Sequence, residues 1–196
     1  QVVCEKGLSG LEFMIGFPGS VGGEIYMNAS ANGQAISDNL VCATCYSKEK
    51  GTVKLSKEEL NFAYRTSRCE SDNLIVLQGE FELKEKSQSE IKKRMDENLD
   101  FRKNHQPSLA LPNCGSVFKN PEGNSAGKLL DECGCKNLSI GDAFVSDVHA
   151  NFILNRGHAS SSDVLELIKI CAQRVFDSTG IKLEPEIKIM CPCECV

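Results

Sequence analysis

The stretch Leu111-Pro-Asn-Cys-Gly-Ser-Val-Phe-Lys-Asn-Pro121 has the residue types for chemistry. Ser116 stands between a glycine and a β-branched valine, and two prolines fix where the backbone bends. A hydroxyl on such a turn can be aimed, as a nucleophile or as a proton donor. By itself Asn-Cys-Gly-Ser also reads as an ordinary connecting loop. Arg65 follows Tyr64 and precedes two hydroxyls in Phe62-Ala-Tyr-Arg-Thr-Ser67, and taken alone it reads as a solvated surface arginine. Glycines 16, 19, 22, 23 and 33 are densest in Pro18-Gly-Ser-Val-Gly-Gly23. They suggest positive φ or close approach to a ligand, with converging amides that hold a phosphate or the polar edge of a ring system. The spacing is neither the dinucleotide fingerprint nor a P-loop.

Eleven cysteines are too many to pass over. They are odd in number, scattered, and partly inside apolar helical patterns (Cys133, Cys171), which suits reduced thiols acting as small hydrophobes in a cytosolic protein. Two clusters, Cys42-Ala-Thr-Cys45 and Cys191-Pro-Cys-Glu-Cys195, allow a zinc or iron-sulfur site in principle, although the spacing matches no standard paired knuckle.

The elements that must position these residues follow from periodicity and caps. Residues 38 to 53 read as a hairpin turning at Ser47-Lys-Glu-Lys-Gly51. Ser56-Lys-Glu-Glu59 is a capping box for a short helical turn. Residues 73 to 83 alternate as a strand with Ile75, Leu77, Gly79, Phe81 and Leu83 on one side. Ser87-Gln-Ser-Glu90 caps a helix to about residue 103, with Ile91, Met95 and Leu99 on one face, that connects two halves. Residues 126 to 133 form a helix ended by Gly134, and 145 to 155 read as loop then strand. Ser160-Ser-Ser-Asp163 caps the last long helix, whose Val164, Leu167, Ile168, Cys171, Val175 and Phe176 form a core stripe up to Gly180. Residues 181 to 190 read as a final strand carrying Glu184-Pro-Glu186.

A chain of 196 residues, 25% charged and 41% hydrophobic, has the size and composition of a soluble protein with one large or two small domains. Its net charge of -5 is spread along the chain, which argues against nucleic acid as a partner. No run approaches the roughly 18 apolar residues of a membrane span. The start at Gln1 is too polar for a secretory signal, and the absence of an initial Met suggests a fragment.

In their joint order, several of these segments closely resemble the UDP-N-acetylenolpyruvoylglucosamine reductase family. They are Gly-Leu-Glu-Phe, Pro-Gly-Ser-Val-Gly-Gly, Tyr-Met-Asn-Ala, Tyr-Arg-Thr-Ser, Gln106-Pro with Asn-Cys-Gly-Ser-Val-Phe-Lys-Asn-Pro, Ala-Gly-Lys-Leu-Leu, Val-Ser-Asp-Val-His-Ala-Asn-Phe-Ile and Leu-Glu-Pro-Glu-Ile. The resemblance covers nearly the whole chain and implies an α+β fold. Residues 1–86 would be the C-terminal half of a vanillyl-alcohol-oxidase-type FAD-binding domain, 87–183 an α+β substrate-binding domain, and 184–196 a strand returning to the FAD domain, with a Cys-rich tail. The direct passage from Arg65 to the strand at Leu74 looks like the shorter subtype of the family.

The implied activity is NADPH-dependent, FAD-mediated reduction of UDP-N-acetylglucosamine enolpyruvate to UDP-N-acetylmuramate, a cytoplasmic step of peptidoglycan synthesis. Carried over residue by residue, the resemblance makes Ser116 the general acid, Arg65 the cation facing the developing enolate and carboxylate, and Glu186 its partner. Pro18, Gly19, Ser20, Gly22, Gly23, Asn28 and Ser30 would contact FAD, and Tyr64 and Asn120 the UDP-sugar. No metal is implied. Lys119, Lys128, Ser146 and His149 lie in matching motifs with structural roles equally open.

The chain departs from the family in three ways. It lacks the Gly-x-Gly-Ser-Asn-type loop of the family's first half. It carries Ser30 and Asn32 where the family usually has Gly and Tyr, and a side chain at Ser30 would crowd the flavin if the backbone there needs positive φ. Its tail from Cys191 differs from the family's usual ending. Two rival readings stand beside the enzyme: a non-catalytic remnant that binds a sugar nucleotide or a protein, and a cysteine-centred metal module.

Overall fold

The computed structural model describes residues 1–108 and 110–189, and their contacts divide into two units, Gln1–Arg102 and a second beginning at Lys103. Each mixes helices with small antiparallel sheets, which makes the chain α+β as expected. Among the described residues no helix is long and apolar enough to cross a membrane.

In the first unit, α1 (Val2–Glu5), β1 (Leu8–Ser9) and α2 (Val21–Tyr26) precede a small hairpin, β2 (Ser30–Ala31) with β3 (Gln34–Ala35). β4 (Leu40–Ser47), β5 (Gly51–Ser56), α3 (Arg68–Ser71), β6 (Ile75–Phe81) and β7 (Lys84–Glu85) follow, then the long helix α4 (Gln88–His105). The main sheet has the order β5-β4-β6. β4 and β5 are the expected hairpin, closing at Ser47 opposite Gly51. Next to it, Ser56 and Glu59 exchange the two hydrogen bonds of the expected capping box (2.8 and 3.3 Å).

The alternation expected along β6 is broken. Ile75 and Leu77 are 61% and 58% exposed, whereas Val76 packs against the core together with Phe81. The cause is a register shift: Thr44 pairs with Gln78, but the next residue of β4, Cys45, pairs with Val76. Leu77 is therefore the extra residue of a β-bulge, and every side chain before it changes face.

The glycine-rich segment is also different from the loop expected. Ser20 is the N-cap of α2, accepting from the Gly23 amide at 3.2 Å, so Gly22 and Gly23 lie inside a helix. A Cβ on Gly22 would stand 3.2 Å from the Val76 carbonyl oxygen, and one on Gly79 2.6 Å from Ile25 Cδ1. The two glycines let α2 lie close on β6, and this packing outweighs the poor helix propensity of Gly. Of the five glycines noted in the sequence, only Gly16 and Gly33 have positive φ.

Helix α4 is capped by Ser87 and Glu90 as expected (3.3 Å in both directions). It packs with the first unit for all but its last residues, and the contacts divide at 102/103. Ile91 is fully buried, and Asn98 donates to the Glu12 carbonyl and accepts from Asn32. These contacts bind the helix to residues far upstream instead of leaving it a bare connector.

In the second unit, α5 (Ala126–Glu132) is followed by β8 (Ser139–Ile140), β9 (Ala143–Val145) and β10 (Ile153–Asn155), a sheet of order β10-β9-β8, and then by α6 (Ser161–Thr179). α6 begins with the Ser160–Asp163 capping box and ends at Gly180 with φ +73°. Leu167, Ile168, Cys171 and Val175 face a core shared with Val117, Leu130 and Val145. Phe176 is half exposed, one position round the helix from the buried stripe.

Over the described residues the expected final strand is reduced to a single bridge between Phe118 and Pro185. That bridge lies inside the second unit. Over the described residues, 184–186 pair with 117–119. The tail from Cys191 lies outside the described residues.

Candidate active site

Ser116 sits at the start of a three-residue strip held from both sides. Asn113 accepts from the Gly115 amide (3.0 Å), and Gly115 turns at φ +81°, which delivers the chain to Ser116. On one side Ser116 bridges Phe152, and the Val117 amide donates to the Asn151 carbonyl (2.9 Å). On the other, the Lys119 amide donates to the Glu184 carbonyl (2.9 Å) and the Glu186 amide to the Val117 carbonyl (2.8 Å). Ser116 and Glu186, read separately from the sequence, thus belong to neighbouring segments of one strip.

Asn151, which the sequence reading did not single out, makes the strip rigid. Its side chain is 3% exposed and uses both ends: Oδ1 accepts from the Phe118 amide (2.9 Å), and Nδ2 donates to the Phe118 carbonyl (2.8 Å). The loop that carries it is preset by Ser146, whose buried Oγ accepts from the amides of Val148 and His149 (3.1 and 3.3 Å). His149 lies edge-on to Phe152 and so close to Gly127 that a Cβ there would be 2.6 Å from its Cε1. Burial pushes its pKa down. Ser146 and His149 therefore build the loop.

Lys128 is exposed, with a long ion pair to Glu132 (3.7 Å), and Lys119 pairs with Glu184 (2.6 Å). Asn120 Oδ1 accepts from the Ala126 amide (2.9 Å) and so holds the start of α5.

In the first unit, Arg65 is the third residue of a tight turn closed by two hydrogen bonds between Ala63 and Thr66 (3.1 and 3.3 Å). Its φ is +57°, unusual for a bulky residue. Its guanidinium donates through Nη1 to Ser30 Oγ (2.7 Å) and through Nη2 to the Ser30 carbonyl (3.4 Å), and it lies 5.2 Å from the centre of the Tyr64 ring. The expected crowding at Ser30 does not arise from positive φ, since Ser30 lies in β2 and the left-handed residues nearby are Asn28 and Asn32.

The flavin-contacting set is partly engaged in local structure. Ser20 caps α2 and Gly22 is pressed onto β6. Gly19 packs against the Glu24 carboxyl. Asn28 differs: its Nδ2 is anchored on the Ala63 carbonyl (2.9 Å), while its buried Oδ1 has no donor among the described residues. Glu24 Oε2 is orphaned in the same way, and burial pushes that carboxyl's pKa up against the fields of Arg102 and Arg65. Ser30 also lines an open hollow of about 310 Å³ with Gly33, Gln34 and Asp38. A buried acceptor without a donor suits a ligand that carries N–H or O–H donors, as the flavin ring and its ribityl chain do.

The cysteine cluster at 42–45 does not converge. Cys45 lies in the core beside Cys69, where burial pushes its pKa up to about 12. Cys42 is on the other face of β4, beside Glu80 and Lys54. Three residues apart on a strand is an odd step, so the two thiols point opposite ways. Among the described residues no three His, Cys, Asp or Glu side chains group to hold a metal.

Comparisons with known proteins agree with the motifs. Residues 106–190 match the UDP-N-acetylenolpyruvoylglucosamine reductase, C-terminal domain, family. The chain is 40% identical over 189 residues to the UDP-N-acetylenolpyruvoylglucosamine reductase of Caldicellulosiruptor saccharolyticus, covering 95% of this chain and 61% of that protein. It is 44% identical over 187 residues to that of Agathobacter rectalis, covering 95% and 59%. The crystal structure of the Thermus caldophilus enzyme superposes with a TM-score of 0.84 at 39% identity, over 96% of this chain and 66% of that one. The chain spans about three fifths of the length of the curated relatives it matches. With ordered motifs, sequence and fold in agreement, the chain belongs to the UDP-N-acetylenolpyruvoylglucosamine reductase family.

Proposed function

We propose that this chain serves the NADPH-dependent, FAD-mediated reduction of UDP-N-acetylglucosamine enolpyruvate to UDP-N-acetylmuramate, in the cytoplasm, for peptidoglycan precursors. The observation that carries this reading is the Ser116–Phe118 strip, locked by Asn151 on one side and by the Glu184–Glu186 segment on the other. A serine is a weak acid, and it serves as a proton donor only when it is held in place within a supporting field.

A flavin held by the first unit would supply the hydride, drawn from NADPH, that C3 of the enolpyruvyl group needs. Ser116 then gives its proton to C2, completing addition of H₂ across the double bond. Negative charge builds toward the substrate carboxylate during hydride addition, and the Arg65 guanidinium stabilises it in a water-poor site. Glu186 is assigned to the same chemistry by the family's pattern. Asn28 Oδ1 and Ser30 would hold the flavin, together with Pro18, Gly19, Ser20, Gly22 and Gly23, and Tyr64 and Asn120 contact the UDP-sugar. The orphaned Asn28 acceptor supports that assignment.

The test is turnover by the purified protein supplied with FAD. NADPH oxidation should depend on the enolpyruvyl sugar nucleotide and yield its reduced ether. An FAD-loaded protein whose NADPH oxidation ignores that substrate contradicts the reading.

A further inference from the structure

We propose that Ser30 is the positioning residue of Arg65. Arg65 leaves its turn from a left-handed backbone, and an arginine stem has several rotatable bonds, so the turn alone does not fix where the charge lies. Ser30 supplies the missing constraint twice, through Oγ to Nη1 at 2.7 Å and through its carbonyl to Nη2 at 3.4 Å. Both acceptors are themselves held. Ser30 pairs with Ala35 in the β2–β3 hairpin. The segment before it is tied to the Arg65 turn by Asn28 Nδ2 on the Ala63 carbonyl (2.9 Å) and by Ser67 Oγ on the Tyr26 carbonyl (2.7 Å). The Tyr64 ring flanks the guanidinium.

The choice of a hydroxyl has a chemical consequence. A serine oxygen orients a guanidinium by a charge-assisted hydrogen bond without itself bringing a negative charge. The hydroxyl orients the cation without adding a charge of its own. The turn, the hairpin and the hydroxyl all lie in the first unit, so Arg65 is set before any ligand arrives.

That the anion is the substrate carboxylate rests on the function proposed above; the Ser30–Arg65 contact does not. Two readouts separate them. Nitrogen-resolved NMR of the guanidinium, on the wild-type chain and on Ser30→Ala, Ser30→Gly and Ser30→Thr, reports whether Arg65 is held. Restricted, slowly exchanging Nη–H signals are expected in wild type and Ser30→Thr, and averaged signals in Ser30→Ala and Ser30→Gly. In turnover, Ser30→Ala should lose about tenfold in kcat/KM, the scale of one charge-assisted hydrogen bond, with an unchanged melting midpoint, and Ser30→Thr should restore it. A wild-type guanidinium signature in Ser30→Ala overturns the inference. If the wild type shows no turnover, the proposed function fails and the NMR comparison still decides the role of Ser30.

Discussion

The two units hold their key side chains by opposite means. Ser116 sits on a strip whose neighbours are fixed by backbone pairing and by a buried amide that spends both its ends on Phe118. Arg65 hangs from a left-handed turn and is steered by side-chain contacts to Ser30 and Tyr64. A short hydroxyl has no reach, so its backbone must be right. A long guanidinium has reach, so its tip must be caught. Breaking the first arrangement should cost folding; breaking the second should cost chemistry.

The largest effect is expected at Asn151. Asn151→Ala leaves the Phe118 amide and carbonyl buried without partners and should cost about 2–4 kcal/mol. Denaturant unfolding, together with faster hydrogen exchange at Val117 and Phe118, would register it. Equal stability would mean that the strip holds itself.

A smaller loss follows from Gly79→Ala. Its Cβ would meet Ile25 Cδ1 at 2.6 Å and the Phe81 ring at 3.0 Å, so the buried Ile25 and Phe81 must repack or α2 lift from β6, at about 1–3 kcal/mol. A urea midpoint identical to wild type would remove the close-packing explanation for the glycines.

At Arg65 the expectation reverses. Arg65→Gly should be more stable than Arg65→Ala by about 1 kcal/mol, because glycine takes positive φ without strain, while both variants lose the cation and its activity. Matching melting temperatures for the two would show that the turn carries no strain.

The smallest effects are titrations with opposite signs. Burial raises the Glu24 carboxyl above 4.5 in the first unit, so the folded chain binds more protons there than the unfolded one. Its contribution is therefore fully present below 4.5 and fades as pH rises through the folded pKa. His149 in the second unit is depressed below 6.5, so its unfolded form binds more protons. Stability falls as pH drops below 6.5. Glu24→Gln should flatten the first slope and His149→Gln the second, read from melting midpoints across pH; an unchanged slope refutes the corresponding assignment.

Long-period features were legible in the sequence. The capping boxes at Ser56, Ser87 and Ser160 and the apolar stripes of α4 and α6 are local signals, and the structure follows them. The order of motifs also placed the chain in its family. What escaped was decided by contacts across the chain. Residues 74 to 77 are all apolar, so no pattern could reveal the bulge that swaps their faces. Glycines at 22 and 23 suggested a loop because propensity disfavours them in a helix, yet the close approach of β6 required one. Asn151 lies 33 residues from Phe118, beyond any local signal. Pro185 inside an apolar alternation was the visible warning against the final strand.

The central claim is that Ser116 is the proton donor, and rapid-mixing spectroscopy of Ser116→Ala tests it most directly. Flavin reduction by NADPH should proceed as in wild type, while reoxidation by the enolpyruvyl sugar nucleotide slows about 100-fold or more, since only that half-reaction needs the proton. Reoxidation at the wild-type rate, or a defect confined to flavin reduction, would contradict it.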